Sequence, residues 1–535
     1  MPEHLRALVF ILVLAAMVFL MAARSACSII DRAEFERQRN LWFILTLIAF
    51  LSHSFWVYAV VGGLLIHFTG RQEPNRMALF FFLLFLIPSA PAEIPGFGVI
   101  NYVFTLTHIR LLELIILLPA YLALRRQADT LPFGRVWADR LLLIYLLLTF
   151  VLLFREPDSS FTNVMRGGFY LFIDIFLPYY VASRALRNLH EFKQAMLSFV
   201  LAAMVLAIIG LFEFAKHWLL YGALITSMGL EWDLSGYLGR AGLIRANATT
   251  GQAIALGYTM AVAIGFFLFL MDFIRIKSSN LVAGELVSAE VHCGICRLSG
   301  GLLLAGGLFA PLSRGPWLGA VALIIAFIAT GRGAFRRLVV LGLAGLLLLP
   351  TLEFIPGGEK VIALLPFVGT VEKENVDYRE KLLQNSLVVI GRHLLLGSPD
   401  ALKEPEMEAL RQGGGIIDLV NSYIGVALDS GLVGLSLFLG FFLTVLAGIR
   451  RGFRHLPGAS RDGGGRATQD AKAEDRDGLR RLGRSLFATL TGILLIIFTV
   501  SSISVIPVIY WSVAGLGVAY GRMLRKAGGK GSQFS

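Results

Sequence analysis

Apolar residues run in blocks along almost the whole chain, separated by short polar stretches. A block of about 17–25 such residues crosses a hydrocarbon core of roughly 30 Å as a helix. The blocks fall near 5–23, 41–66, 77–88, 107–124, 138–154, 163–182, 194–213, 252–273, 298–311, 316–330, 337–350, 432–449, 485–503 and 505–522. Those at 77–88 and 298–311 are short for a full crossing. Polarity does not alternate residue by residue, so the pattern predicts helices and not a closed barrel. The expected fold is an all-α, polytopic integral membrane protein with about 12–14 transmembrane helices. The first block, "LRALVFILVLAAMVFLMAA" (5–23), reads as a retained helix, because its apolar core is long and no small-x-small cleavage site follows.

Two polar stretches are long, 214–250 and 351–417. The second carries mixed charge and a helix over "DYREKLLQNSLVVIGRHLLLG" (377–397). Asp377 with Glu380 has the spacing of a capping box, and Gly397 suits the position after a helix end. Helical spacing sets Arg379 and His393 on one face. The chain therefore divides into a helical bundle over 1–350 with an outer loop at 214–250, a large loop over 351–417, and C-terminal membrane helices over 418–535 that enclose the loop 450–484.

Composition agrees. Of 535 residues, 56% are hydrophobic and 16% charged, against roughly 45–50% and about 25% in soluble domains. The mean hydropathy is +0.73. The net charge of +12 sits in short loops, which points to membrane topology and not to nucleic acid. With the Gly-rich, basic loop 450–484 in the cytoplasm, the basic loops at 331–337, 274–280, 184–193, 125–135 and 69–76 fall on the same side. The stretch 24–40, with four arginines, falls on the other and fits worst. Loops 214–250 and 351–417 then face outward. "CGIC" (293–296) beside His292 has no second Cys pair and reads as a neutral loop. "EWD" (231–233) reads as a solvated loop. No metal and no cofactor are expected.

Candidate chemistry lies in three outward stretches. "IDLVNSYIGVALDSGLVGL" (417–435) precedes a purely apolar run, so 417–430 is expected to form an interfacial entrance helix. Asp418, Ser422, Gly425 and Asp429 would share its polar stripe, with Asn421 at the edge and Asp418 placed to cap the helix. "DSG" (429–431) marks a candidate break. In "APLSRGPWLGAVAL" (310–323), Arg314 sits at a turn forced by Gly315 and Pro316, on the side where basic residues are depleted. In "GYLGRAGLIRANATTG" (236–251), Arg240 and Arg245 precede a spanning helix whose N-terminus favours an anion. Arg245, Arg314 and Arg379 would then converge near the membrane surface, where guanidinium forks suit a lipid-anchored diphosphate.

"LSRGPWLGAVAL", "YREKLLQNSLVVIGRHLLLGSPD" and "IDLVNSYIGVALDSGLVGLSLFL" together resemble the O-antigen ligase and polymerase superfamily, in their order and in sharing one membrane face. The resemblance covers roughly 240–450. It implies a GT-C-like glycosyltransferase of the bacterial inner membrane, multi-pass, with its active site facing the periplasm. Such an enzyme moves a glycan from undecaprenyl diphosphate to a hydroxyl acceptor, without metal. The donor is then an undecaprenyl-diphosphate-linked glycan and the acceptor a glycan or a lipid-linked chain. Membrane lipid surrounds the enzyme, nucleic acid has no part, and proteins of polysaccharide assembly and export are candidate partners. By resemblance Arg314 and Arg245 hold the diphosphate. Asp418 is the candidate base, and Arg240, Arg379, Asn421, Ser422, Tyr423 and His393 complete the expected binding set. Where the family's ligases carry His directly before the motif's Asn, this chain has Val420. That departure favours a polymerase of exopolysaccharide or O-antigen repeat units over a ligase onto lipid A–core or a protein O-glycosyltransferase. A flippase or transporter would place polar residues near several helix midpoints and show matching halves. His53, Glu113 and Asp174 are the main intramembrane polar residues, and no half-repeat is visible.

Overall fold

The computed structural model describes the chain except residues 99, 157–159, 233–238, 241, 274–282, 354–372, 412–414, 457–465, 504 and 528–535, and except the side chains of 283–293, 348–350, 352–353, 373–376, 466–474 and 526–527. The described residues form an all-α bundle with one small antiparallel hairpin, Ala92–Pro95 with Tyr102–Leu106. Among the described residues, five helices are long and apolar enough to cross a membrane: Glu3–Ala26, 137–155, Leu189–Lys216, Ala253–Leu270 and Ser422–Arg454. The molecule is a polytopic helical membrane protein.

The block at 41–66 is not one crossing. One helix, Arg32–Leu51, ends at Ser52, and a second runs over 55–72 with a π-helical turn at Tyr58–Gly62. Between them His53 takes φ +50°, and the Ser52 hydroxyl donates to the Ala49 and Ser54 carbonyls. The two helices pack antiparallel: Gly62 lies against Leu45, and Arg37 pairs with Glu73 at 2.5 Å. This hairpin reverses the placement of everything before it. The Gln194 side-chain amide donates to Glu34, Asn75 to the Glu191 carbonyl, and Arg187 to Gln127. The stretch 24–40 therefore lies at the same end of the bundle as 69–76, 125–135 and 184–193, contrary to the expectation from hydropathy. The ends of neighbouring helices join them there, through Ser28 on the Phe273 carbonyl and Arg481 beside Asp272. Loop 274–280 lies outside the described residues.

The opposite end carries the long loops. Trp218 donates to Glu3 at 3.0 Å, Phe55 N–H to Met228, and Thr249 to Phe85. Short buried pieces complete the bundle. Arg76–Leu83 is an eight-residue helix whose side chains from Met77 to Leu83 are at most 1% exposed. Asp174 is bound by both Nε and an NH2 of Arg110, at 3.0 and 2.8 Å.

The helix of the large loop is Lys373–Arg392. It begins ahead of Asp377, so the Asp377–Glu380 capping box is not formed. Leu382, Ser386, Val389 and Ile390 are its buried face, packed on Met407, Leu410, Ala427 and Leu428.

Candidate functional site

The Asp418 stretch is not helical: Val420 and Asn421 N–H donate back to the Asp418 and Leu419 carbonyls in successive tight turns. Residues 416–421 carry no helix, and Ser422–Arg454 begins with Asn421 as its N-cap, whose side-chain oxygen accepts from Tyr423 N–H at 2.9 Å and Ile424 N–H at 3.3 Å. The entrance helix thus starts at Ser422, and the cap expected of Asp418 belongs to Asn421. Asp418 is exposed. Its backbone is pinned by the Tyr378 hydroxyl, which accepts from Asp418 N–H and donates to its carbonyl, both at 3.1 Å. Partial burial pushes the Tyr378 hydroxyl above its ordinary pKa, with the Asp418 charge adding to the shift, so it stays a donor at neutral pH.

A segment that the hydropathy pattern assigns to the end of a membrane helix draws the site together. Arg466–Ile497 and Ile506–Ala527 are separated by "FTVSSISV" (498–505). The Ser422 N–H and hydroxyl both donate to the Val500 carbonyl, at 3.2 and 2.7 Å. Ser502 donates to the Ser422 hydroxyl at 2.7 Å, and the Ser501 hydroxyl reaches the Asp418 carboxylate at 3.0 Å and the Leu419 carbonyl at 2.7 Å. An Arg379 NH2 group approaches the Thr499 carbonyl at 3.4 Å. From the other side, Gly315 abuts Thr499 and Val500 so closely that a Cβ there would collide with the Thr499 hydroxyl. Arg314, Arg379, Asp418, Asn421 and Ser422 therefore all flank Thr499–Ser502. The Ser-rich break between two apolar runs was the available signal for it.

Arg314 opens Arg314–Ala329 and is half-buried. The turn before it is strained, with Leu312 at φ +49°, and two arginines hold it. Arg245 donates from Nε to the Pro311 carbonyl at 3.1 Å and from NH2 to the Ser313 hydroxyl at 2.8 Å, while Arg240 NH1 donates to the Leu312 carbonyl. Behind them stands Glu213, a residue the sequence pattern does not single out. Its buried carboxylate accepts from the N–H groups of Leu220, Asn247 and Ala248 at 3.0, 3.1 and 2.9 Å. The chain's own carboxylate thus occupies the N–H groups of Asn247 and Ala248, in the turn ahead of Ala253–Leu270.

Two members of the expected set lie elsewhere. The Tyr423 hydroxyl donates to the Leu494 carbonyl at 2.8 Å, among Phe438 and Phe498. His393 Nε2 meets Glu404 Oε1 at 2.8 Å, and Glu404 also takes Arg392 at 2.6 Å. These partners hold the Glu404 carboxyl below the usual range. His393 stands fourteen positions beyond Arg379, about 21 Å along a helix, so the structure does not bring the two together. Of "EWD", Asp233 lies outside the described residues, as do the side chains of His292 and Cys293.

The large loop closes on the break in the entrance helix. Gly431 takes φ +64° and ψ −167° inside Ser422–Arg454. Backbone groups freed there are met by residues 394–398: Leu432 and Val433 N–H donate to the Leu394 and Leu395 carbonyls, and Ser398 N–H donates to Leu428. Arg155 binds the carbonyls of Gly397, Leu396 and Asp429 at 3.0, 2.9 and 3.1 Å. The "DSG" break is present, and "LLLG" (394–397) is the helix-end turn, closed by Gly397 N–H on the His393 carbonyl at 3.0 Å, that seals it.

Residues 300–439 match the model of a family described as O-antigen ligase. That span contains Arg314, Arg379 and Asp418 and stops short of Thr499–Ser502. The match supports the O-antigen ligase and polymerase superfamily, to which the chain is similar over that stretch, and with it glycosyl transfer by a membrane enzyme of ligase or polymerase type, which takes a lipid-linked glycan donor and an acceptor. No curated protein matches the chain.

Proposed function

We propose that this protein transfers a glycan from undecaprenyl diphosphate to a hydroxyl acceptor at the periplasmic face of the bacterial inner membrane, as a polymerase of exopolysaccharide or O-antigen repeat units. The observation that carries the reading is the gathering of Arg314, Arg379 and Asp418 around Thr499–Ser502, at the end of the bundle opposite the basic loops. Under the positive-inside rule the basic end is cytoplasmic and the site end periplasmic. The loop 351–417 is assigned to the periplasmic side, between a bundle over 1–350 and the C-terminal helices.

A diphosphate is a good leaving group, so the chief demand is to neutralise charge as the anomeric C–O bond breaks. A preorganised guanidinium in a partly desolvated site supplies that. Arg314 is assigned this contact, with Arg379 at the Thr499 carbonyl beside it in the proposed site. Arg240 and Arg245 are positioning residues that fix the turn carrying Arg314. Asp418, exposed and oriented by Ser501, is assigned the acceptor hydroxyl's proton. The described family name favours a second reading, transfer onto lipid A–core, and Val420 in place of the ligases' His favours polymerisation.

Purified protein in lipid nanodiscs, given an undecaprenyl-diphosphate oligosaccharide, tests the reading. Arg314→Ala and Arg245→Ala should abolish transfer while leaving the melting temperature within a few degrees. Arg245→Lys should recover little, because one ammonium cannot reach both Pro311 and Ser313 as the fork does. Wild-type chain growth by both alanine variants would reduce these arginines to interfacial anchors. Product length separates the two readings: a ladder of repeats marks a polymerase, and a single addition to lipid A–core marks a ligase.

A further inference from the structure

At the end of the bundle opposite Arg314, a cavity of about 1080 Å³ lies among the far ends of Arg314–Ala329, Ser422–Arg454 and Arg466–Ile497. These are the same three elements whose near ends meet at Thr499–Ser502, so the two features are separated by the length of the helices. Arg332 and Arg337 line the cavity from the turn after Ala329, Arg450 and Arg454 from the end of the entrance helix, and Arg480, Arg481 and Arg484 from the third helix. Seven guanidinium groups thus face two carboxylates, Asp272 and Asp477, and Asp272 is paired with Arg481. Loops obeying the positive-inside rule carry scattered charge. Here basic side chains from separate helices converge on one space. Its wall is preorganised, because Arg484 donates to the Phe327 carbonyl at 2.7 Å and lies over the Phe327 ring at 4.5 Å.

The cavity adjoins an apolar groove. A second space of about 630 Å³ shares Arg332 and Arg337 with it and continues over Ile328, Val340, Leu341 and Ala344, between Arg314–Ala329 and Ala334–Glu353. Val339, Val340, Leu343, Leu346 and Leu347 on that helix are 43–68% exposed, as on a surface that meets acyl chains. A soluble phosphate has no use for such a groove. A lipid fits both parts, with its phosphates among guanidinium forks that bind them bidentately and its chains along Val340 and Leu341. Basic pockets between membrane helices on the cytoplasmic side recognise anionic headgroups by this physics.

We infer that this cavity binds the phosphate groups of an anionic glycerolipid, of the two-phosphate diphosphatidylglycerol type, with its chains in the adjoining groove. The site is distinct from the proposed transfer site, and its test reads binding, so it stands or falls independently of the glycan reaction. Full-length protein in zwitterionic detergent is titrated with tetraoleoyl diphosphatidylglycerol and, separately, with inorganic pyrophosphate, and followed by native mass spectrometry and thermal shift. The variant Arg450→Gln/Arg454→Gln/Arg480→Gln should bind the lipid at least 10-fold more weakly. A control that removes as much charge outside the cavity, Arg125→Gln/Arg126→Gln/Arg451→Gln, should bind as wild type. Ala344→Trp, which fills the groove, should weaken the lipid and leave pyrophosphate unchanged. Equal lipid binding by the cavity and control variants overturns the site. Pyrophosphate binding as tightly as the lipid overturns the lipid assignment in favour of a soluble anion. If the triple variant is not monodisperse, Arg450→Gln and Arg454→Gln are scored singly, and wild-type affinity in both overturns the inference.

Discussion

Asp418 and Asn421 lie three residues apart and cap helices about equally well, so no pattern of residue types tells which of them the helix uses. The decision is tertiary: Tyr378 and Ser501 hold 416–421 out of the helix, and the first helical residue becomes Ser422. What was legible at this scale is that polar residues gather at 418–422. The contribution of Ser501 and Ser502 was not, because their partners are some eighty positions away in sequence. The division of labour gives a clean test. Asparagine at 418 can still accept from Ser501 but cannot take a proton, so Asp418→Asn should slow transfer about 100-fold, the size of a general-base loss, at an unchanged melting temperature. Asn421→Ala should instead cost on the order of 1 kcal/mol of stability, and Asn421→Asp almost none. Full activity in Asp418→Asn would return that residue to a structural role.

The elements show why broken helices were only partly legible. "DSG" advertises a break, and Gly431 makes it with a backbone conformation that is essentially glycine's alone. The partner of that break, "LLLG", is apolar and reads as the tail of a helix. Its role appears only when the Leu394 and Leu395 carbonyls are seen to accept from Leu432 and Val433. A Cβ at Gly431 would collide with the Leu395 carbonyl. Gly431→Ala should therefore cost at least about 1–3 kcal/mol from backbone strain. Arg155→Ala leaves three carbonyls short of a charged donor and should cost about 1–3 kcal/mol. Both should speed proteolysis within 394–415 and lower the melting temperature by several degrees. Resistance equal to wild type in both would mean that the large loop is held by its apolar face on Ala427 and Leu428 alone.

At the scale of the whole molecule, one missed turn propagates through the topology. Hydropathy fuses 41–66 because Ser52, His53 and Ser54 interrupt it too briefly for a window of about 19 residues. The fused block sends the four arginines of 24–40 to the outward face, against the rule that the remaining basic loops obey. The hairpin at Ser52–Ser54 puts them back: Glu34 meets Gln194 and Arg37 meets Glu73, at the end that also carries the arginine-lined cavity. The positive-inside rule was thus a better guide than the hydropathy window, and the worst-fitting loop was the place to look for an error. Cysteine labelling decides between the two topologies. In a chain with Cys27, Cys293 and Cys296 replaced, a cysteine at Arg39 should share its accessibility with one at Arg454. It should be opposite to one at Phe97, which tips the hairpin at the site end and is 86% exposed. With a membrane-impermeant maleimide on intact spheroplasts, the cysteine at Phe97 should react, and those at Arg39 and Arg454 only after lysis. Reaction at Arg39 together with Phe97 before lysis would restore the single crossing at 41–66 and break the agreement of the basic loops.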